Sequence, residues 1–172
     1  MIRFTDDTEQ IIELWRSVFK EDSREDVLFF LKESKHVKCL GYFENEKLVS
    51  MIFLVDCSYA DLNGKYVYAV CTHEKFRNKG YSSSLIKEAE KYMNDFLWLI
   101  PAHDSLFTFY AKFGFKTKLH SDEAYKNRIV FDENKEIIEY LYSGSDYTYP
   151  DGMVYSNKDF PVGSTGLNDK RG

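Results

Sequence analysis

Two cations, one glycine and three consecutive hydroxyls stand together in the stretch Phe76-Arg77-Asn78-Lys79-Gly80-Tyr81-Ser82-Ser83-Ser84. Before it lies YVYAVCT, from Tyr66 to Thr72, an aromatic and β-branched run. After it lies SLIKEAEKYM, with helical spacing. A strand, a basic glycine loop and a helix start in that order suit an anion. At the first turn of a helix the backbone N–H groups have no internal partner and the macrodipole places partial positive charge there, so a phosphate satisfies both. Gly80 lets the backbone approach closely, Asn78 tolerates unusual dihedrals, and Arg77 and Lys79 supply charge. The hydroxyls of Ser82, Ser83 and Ser84 are too small to block an anion. An ordinary cationic turn capping a helix is the competing reading, because one glycine and two cations are a weak motif. Without GxxxxGK[ST] there is no P-loop, and without GxGxxG after a strand a dinucleotide fold is disfavoured.

The elements that must position this loop follow from periodicity. After a short strand over Ile2 to Phe4, the segment Asp7 to Lys20 gathers Ile11, Ile12, Trp15, Val18 and Phe19 on one helical face. Ser23 followed by Asp26 resembles a capping box, so a second helix is expected from near Arg24. From Val37 the pattern becomes strand-like: VKCLGYF, KLVSMIFLVDCSYA and KYVYAVCT, with Asn63-Gly64 read as a hairpin turn. Three antiparallel strands follow. Leu85, Ile86, Ala89 and Met93 then stripe a helix, and FLWLI reads as a buried strand, which together suggest one right-handed parallel crossover. Pro101 stops that strand, and Ser105 to Phe113 reads as a short helix ended by Gly114. FKTKLH and KNRIVF are expected to close the sheet as a pair, and NKEIIEYLY adds a helical turn or two. The expected fold class is therefore α/β of the α+β kind, a mixed and mostly antiparallel sheet flanked by helices.

Beyond Ser143 the composition shifts: five of nine glycines and two of three prolines fall in the last thirty residues. We read residues 1–142 as one domain and 143–172 as an irregular extension, with Tyr147, Tyr149, Tyr155 and Phe160 as rings available for docking. A length of 172 residues suits a single core. The longest apolar runs are of strand length, far below the roughly 20 residues of a membrane span, and MIRFTDDTEQ does not have the pattern of a signal peptide. A cytoplasmic protein is expected. Cys39, Cys57 and Cys71 show no CxxC spacing and sit in apolar strand-like stretches, so buried reduced thiols are expected, with no metal site. A net charge of −5 argues against nucleic-acid or anionic-membrane partners.

The stretch VCTHEKFRNKGYSSSLIKEAEKYM resembles the central acetyl-CoA motif of the GNAT superfamily of N-acetyltransferases, in which a strand leads into (Q/R)-x-x-G-x-(G/A) and a helix. Arg77, Gly80 and Ser82 fall on its three defined positions. FYAKFGF, from Phe109 to Phe115, resembles the second signature of that family, a helix ending in Tyr-x-x-x-Gly-Phe. Both occur in order with a strand between them. The resemblance implies a splayed parallel strand pair forming an acetyl-CoA cleft. Its pyrophosphate would rest on Arg77, Asn78, Lys79, Gly80, Tyr81 and Ser82, and its thioester carbonyl on a backbone N–H within Val70, Cys71 and Thr72. Departures are Ser82 where glycine or alanine is usual, Glu74 where proline is frequent, and His103 where relatives carry asparagine.

Acetyl transfer from a thioester to an amine needs a neutral amine, stabilisation of the oxyanion and a proton for the departing thiolate. By resemblance Tyr110 protonates the sulfur. Its phenol, with a reference pKa of about 10, is protonated at neutral pH. Candidates for the base are His103, His73, Glu74 and Asp56, with His103 carried forward. A Cys71 nucleophile has no activating partner in the sequence. The expected function is acetyl-CoA-dependent N-acetylation of a primary amine of a small molecule or peptide by direct attack, with room for a homodimer. Two alternatives remain: a non-catalytic acyl-CoA sensor or interaction module on the same fold, and a different donor such as a longer acyl-CoA or an aminoacyl-tRNA. The acceptor pocket is expected around Trp15 to Leu31 and Phe115 to Phe131, where Asp22, Glu25, Asp122 and Glu123 could attract a cationic amine.

Overall fold

The computed structural model describes residues 1–103, 105–119, 129–142 and 152–160. Chain order begins with β1 (Ile2–Thr5), α1 (Thr8–Val18), α2 (Arg24–Glu33), β2 (Val37–Glu44), β3 (Lys47–Tyr59) and β4 (Leu62–Thr72). It continues with α3 (Tyr81–Ala89), β5 (Phe96–Leu99), α4 (Leu106–Ala111) and β6 (Thr117–Leu119). Then come β7 (Ile129–Val130), α5 (Lys135–Leu141) and β8 (Gly152–Ser156). The strands form one sheet in the order β1-β2-β3-β4-β5-β8-β6, with β7 paired to β3. Every pairing is antiparallel except β4 with β5. This is the mixed, mostly antiparallel sheet that the sequence predicts.

Local signals place the first two helices. Asp7 caps α1 by accepting the Gln10 N–H at 3.2 Å. Ser23 and Asp26 exchange the two bonds of a capping box at the start of α2. The buried stripe of α1 is Ile11, Ile12, Leu14 and Trp15; Phe19 lies past the helix end and is exposed. Helices cover both faces of the sheet. α1, α2 and α5 pack on one face against Phe96 and Trp98, while α3 and α4 pack on the other against Leu97 and Leu99. β5 is covered on both sides, which is why FLWL has no polar alternation.

Three expectations change. The hairpin between β3 and β4 turns at Ala60-Asp61, with Ala60 at φ 53°, and Asn63-Gly64 lies inside β4. Gly64 serves a different purpose there: a Cβ would lie 2.4 Å from the Phe96 carbonyl oxygen, so glycine admits the parallel neighbour. The two closing strands do not pair with each other. β6 pairs with β8, and β7 pairs with Ser58 and Tyr59 of β3, beyond the point where β2 ends. Finally, the region read as an irregular extension supplies β8, which hydrogen-bonds between β5 and β6. Phe160 stacks on Tyr59 at 4.8 Å and meets Phe96 at 5.2 Å, so residues 152–160 belong to the fold. Gly114 admits the Tyr155 ring, which a Cβ would meet at 2.6 Å. Tyr147, Tyr149, Asp122 and Glu123 lie outside the described residues. Among the described residues no helix is long and apolar enough to cross a membrane.

Candidate functional site

The site begins where β4 leaves β5. Their parallel register runs from Gly64↔Phe96 to Val67↔Leu99 and stops, while β4 continues to Thr72. Five residues, Tyr68 to Thr72, thus run on without β5. Within them the register with β3 slips, so that Ala69 and Val70 together stand between the Phe53↔Tyr68 and Met51↔Cys71 pairs. Ala69 adopts φ 54°, a left-handed conformation that costs an L-residue about 1–2 kcal/mol. The bulge also reverses the alternation of side chains. Tyr68, Ala69 and Cys71 fall on the α1/α2 face and Val70 on the α3/α4 face.

The chain leaves β4 under several restraints. Ser50, fully buried in β3, donates its hydroxyl to the Cys71 carbonyl at 3.1 Å and lies 2.7 Å from the Thr72 hydroxyl. The His73 N–H donates to Val49 O at 2.9 Å, and Arg77 Nε donates back to Thr72 O at 3.1 Å. A single helical turn over Glu74–Phe76 follows, in which His73 Nδ1 accepts the Lys75 N–H. Asn78 at φ 64° and Gly80 at φ 78° then reverse the chain into α3. Nothing lies within 4 Å of where a Gly80 Cβ would stand, so glycine is required there by dihedral and not by space. No side chain caps α3, and its first backbone bond is Ser84 N–H to Gly80 O. The N–H groups of Tyr81, Ser82 and Ser83 therefore have no acceptor among the described residues, beside the exposed Arg77 and Lys79. Such a cradle of free donors beside two cations can hold an anion. Its far end is fixed by Tyr81, whose ring stacks on Tyr42 of β2 at 4.1 Å and 18°.

The other candidates fall in three places. Tyr110 lies on α4, 6% exposed, in the same apolar cluster as Val70. Burial pushes its pKa up to about 12. His103 is exposed just before α4, where its carbonyl accepts the Leu106 N–H at 3.0 Å. Asp56 is held in an ion pair with Lys65, toward the β3–β4 hairpin and away from the splay. Cys71 is 1% exposed, its Sγ donates to the Ala69 carbonyl, and burial raises its pKa well above that of an ordinary thiol. Its thiol is closed off from solvent. All three cysteines are free and buried.

Sequence reasoning missed the supports, Tyr42, Val49 and Ser50. Ser50 had a signal: it is the lone polar residue in the run LVSMIFLV. Tyr42 had none, because its partner lies 39 positions away by number.

A family model described as Acetyltransferase (GNAT) domain matches residues 4–117, which include the bulge, the loop and Tyr110. No protein among the curated ones matches the chain in sequence. Among solved structures it resembles the Bacillus subtilis N-acetyltransferase YlbP in complex with coenzyme A, with TM-score 0.57 at 15% identity over 91% of this chain and 95% of that one. It also resembles a GNAT family acetyltransferase of Elizabethkingia anophelis with acetyl-CoA bound, with TM-score 0.54 at 16% identity over 91% and 97%. A conserved protein of unknown function from Enterococcus faecalis V583 gives TM-score 0.54 at 15% identity over 69% of this chain, and the chain spans only 33% of that protein's length. At such identities the likeness is one of fold. Together with the family match over most of the sheet, it shows that this chain belongs to the GNAT acetyltransferase family.

Proposed function

We propose that the chain is an acetyl-CoA-dependent N-acetyltransferase that acetylates a primary amine of a small molecule or peptide by direct attack. The observation that carries this reading is the row of unpartnered N–H groups at the start of α3, opening where β4 has parted from β5. The residues present fit acetyl-CoA. The cradle of Arg77, Asn78, Lys79, Gly80, Tyr81 and Ser82 offers backbone donors and two cations to a pyrophosphate. Acetyl-CoA supplies an activated acetyl group as a thioester.

The chain's own residues do the rest. The bulge at Ala69 and Val70 frees peptide groups from the ladder with β3, and an N–H within Val70, Cys71 and Thr72 holds the carbonyl oxygen. Tyr110 donates a hydrogen bond toward the departing sulfur. At about 12 the phenol is a weaker acid than an ordinary thiol near 8.5, so outright proton transfer is uphill by about 5 kcal/mol and solvent completes the protonation. His103, exposed before α4, would take the proton that an attacking amine must lose. The reading places the protein in the cytoplasm, which the three free thiols suit.

Calorimetric titration with acetyl-CoA, with desulfo-CoA and ADP as comparators, tests it. Micromolar binding that an Arg77→Ala, Gly80→Asp variant loses, followed by turnover of amines, supports the reading. Binding without turnover of any amine favours the acyl-CoA sensor. No binding by the folded wild-type protein refutes both.

A further inference from the structure

The irregular end of β4 is held in shape by one of its own side chains. The Cys71 thiol donates to the Ala69 carbonyl at 3.3 Å, reaching back two residues along the strand. That carbonyl belongs to the Ala69–Val70 peptide, which follows the left-handed Ala69 at φ 54° and sits where the ladder with β3 slips. A peptide in such a place has no regular ladder to set its plane, so another bond must do so. Further along, the Cys71 carbonyl is held in turn by the Ser50 hydroxyl at 3.1 Å. The end of β4 is thus tied by side-chain donors on its oxygens.

Fixing the oxygen also fixes the N–H of the same peptide. A trans peptide is planar, with its C=O and N–H pointing opposite ways, and no peptide among the described residues is cis. The Cys71 side chain lies on the α1/α2 face, in the cluster of Trp15, Met51 and Phe53, and draws the Ala69 oxygen toward that side. The Val70 N–H is therefore turned to the α3/α4 face. There the Val70 side chain gathers with Leu85 of α3 and with Tyr110, and there α3 opens without a side-chain cap. The Val70 N–H thus faces the side from which a thioester held by the cradle would arrive. The thiol suits this task. It is 1% exposed and stands opposite the fully buried Met51 in the register with β3. Burial raises its pKa well above that of an ordinary thiol, so it keeps its proton and remains a donor, whereas a thiolate could only accept and would repel the carbonyl oxygen. An S–H donates weakly, but here no water competes for it.

We infer that Cys71 is a positioning residue, whose thiol sets the plane of the Ala69–Val70 peptide so that the Val70 N–H is the donor that meets the thioester carbonyl oxygen. This rests on the acetyl-transfer reading above for the ligand, and adds the atom that receives its carbonyl and the side chain that aims it. It is the opposite of a nucleophilic role. The sulfur forms no bond to the acetyl group and keeps its proton throughout.

The test is difference infrared spectroscopy of acetyl-CoA, isotope-labelled at the acetyl carbonyl and bound to the full chain, in the wild type and in Cys71→Ala and Cys71→Ser variants. Circular dichroism verifies that each is folded, and calorimetry gives the Kd for acetyl-CoA and for CoA. An N–H on the carbonyl oxygen polarises the bond and lowers its stretch below that of free acetyl-CoA. The expected result is a lowered stretch in the wild type, about half or more of that shift lost in Cys71→Ala, and the shift restored in Cys71→Ser, whose hydroxyl also donates. The Kd for CoA, which lacks the acetyl carbonyl, should stay within about twofold in all three. A folded alanine variant that keeps the full shift overturns the inference, as does a serine variant no better than alanine. Wild-type protein that binds acetyl-CoA without any shift overturns this inference and leaves cofactor binding standing, whereas a folded wild type that binds no acetyl-CoA overturns both. If the alanine variant does not fold, the wild-type S–H stretch decides, read as the band missing from Cys71→Ser. A stretch displaced as in a hydrogen-bonded thiol supports the inference, and one at the position of a free thiol overturns it.

Discussion

Replacing Tyr42 by alanine tests whether the β2–β3 hairpin sets the geometry of the anion cradle. Tyr42 touches the cradle through one contact, the stack on Tyr81 at 4.1 Å and 18°, and Tyr81 is the first residue of α3. A stacked aromatic pair is worth about 0.5–1.5 kcal/mol beyond the area it buries. If that free energy holds the end of α3 in its binding orientation, its loss reappears as an acetyl-CoA Kd raised about two- to tenfold. ADP should weaken by the same factor, because the effect lies at the pyrophosphate. Turnover at saturating acetyl-CoA should be unchanged, since the ring that is lost stacks on Tyr81 at the start of α3. Tyr42→Phe keeps the stack and should bind as the wild type does. The alanine variant is also expected to lose about 2–4 °C of Tm for each kcal/mol of packing removed, which thermal unfolding measures separately. An alanine variant that melts lower yet binds acetyl-CoA with wild-type affinity would show that the stack is packing alone. A phenylalanine variant as weak as the alanine would show that the hydroxyl matters and the ring does not.

Tyr110→Phe should lower kcat by about ten- to hundredfold, at the modest end of proton-transfer effects, with the Kd for acetyl-CoA within twofold in calorimetry. The same residue gives a stability signature. Because burial lifts its folded pKa to about 12 from 10, its contribution is fully present below pH 10 and lost as pH rises through 12, a loss of about 2–3 kcal/mol. Urea unfolding of wild type and Tyr110→Phe at pH 9 and at higher pH checks this: only the wild type should carry that component. Gly64→Ala should destabilise by about 1–3 kcal/mol through overpacking, since its Cβ would lie 2.4 Å from the Phe96 carbonyl and 2.7 Å from its ring. Urea unfolding reads that loss, and an unchanged midpoint would mean that β4 and β5 are not so closely paired.

The parts of the fold legible in the sequence are those that a few neighbouring residues decide. Ser23 and Asp26 satisfy each other's backbone three positions apart, so the start of α2 is written locally. Gly80 and Asn78 reverse the chain by their own dihedrals, so the loop was legible too. The hairpin turn was misplaced because Asn63-Gly64 carries the residues of a turn for another reason, the approach of Phe96 from a strand some thirty residues on. β8 reads as irregular in sequence because its five residues have glycine at one end and no long apolar run, and its pairing with β5 and β6 satisfies a backbone need that composition does not display.

The cradle and the bulge depend on the same irregular neighbourhood. Val49 is the extra residue at a register shift between β2 and β3 and Ser50 follows it, and from there Val49 holds His73 while Ser50 holds Cys71 and Thr72. Tyr42, paired with Ser50 across that shift, holds the first residue of α3. One hairpin therefore fixes the end of the strand that would hold a carbonyl and the start of the helix that would hold a phosphate, with the exposed residues 77–80 strung between them. Rigid supports at both ends explain how a loop with few contacts of its own can present its N–H groups in one arrangement, since the entropy of ordering them is met by folding and not by binding. It also follows that substitution of Lys79 should change affinity with little change in Tm, whereas substitutions at Ser50 should change both, because removing its hydroxyl leaves the buried Cys71 carbonyl without that donor.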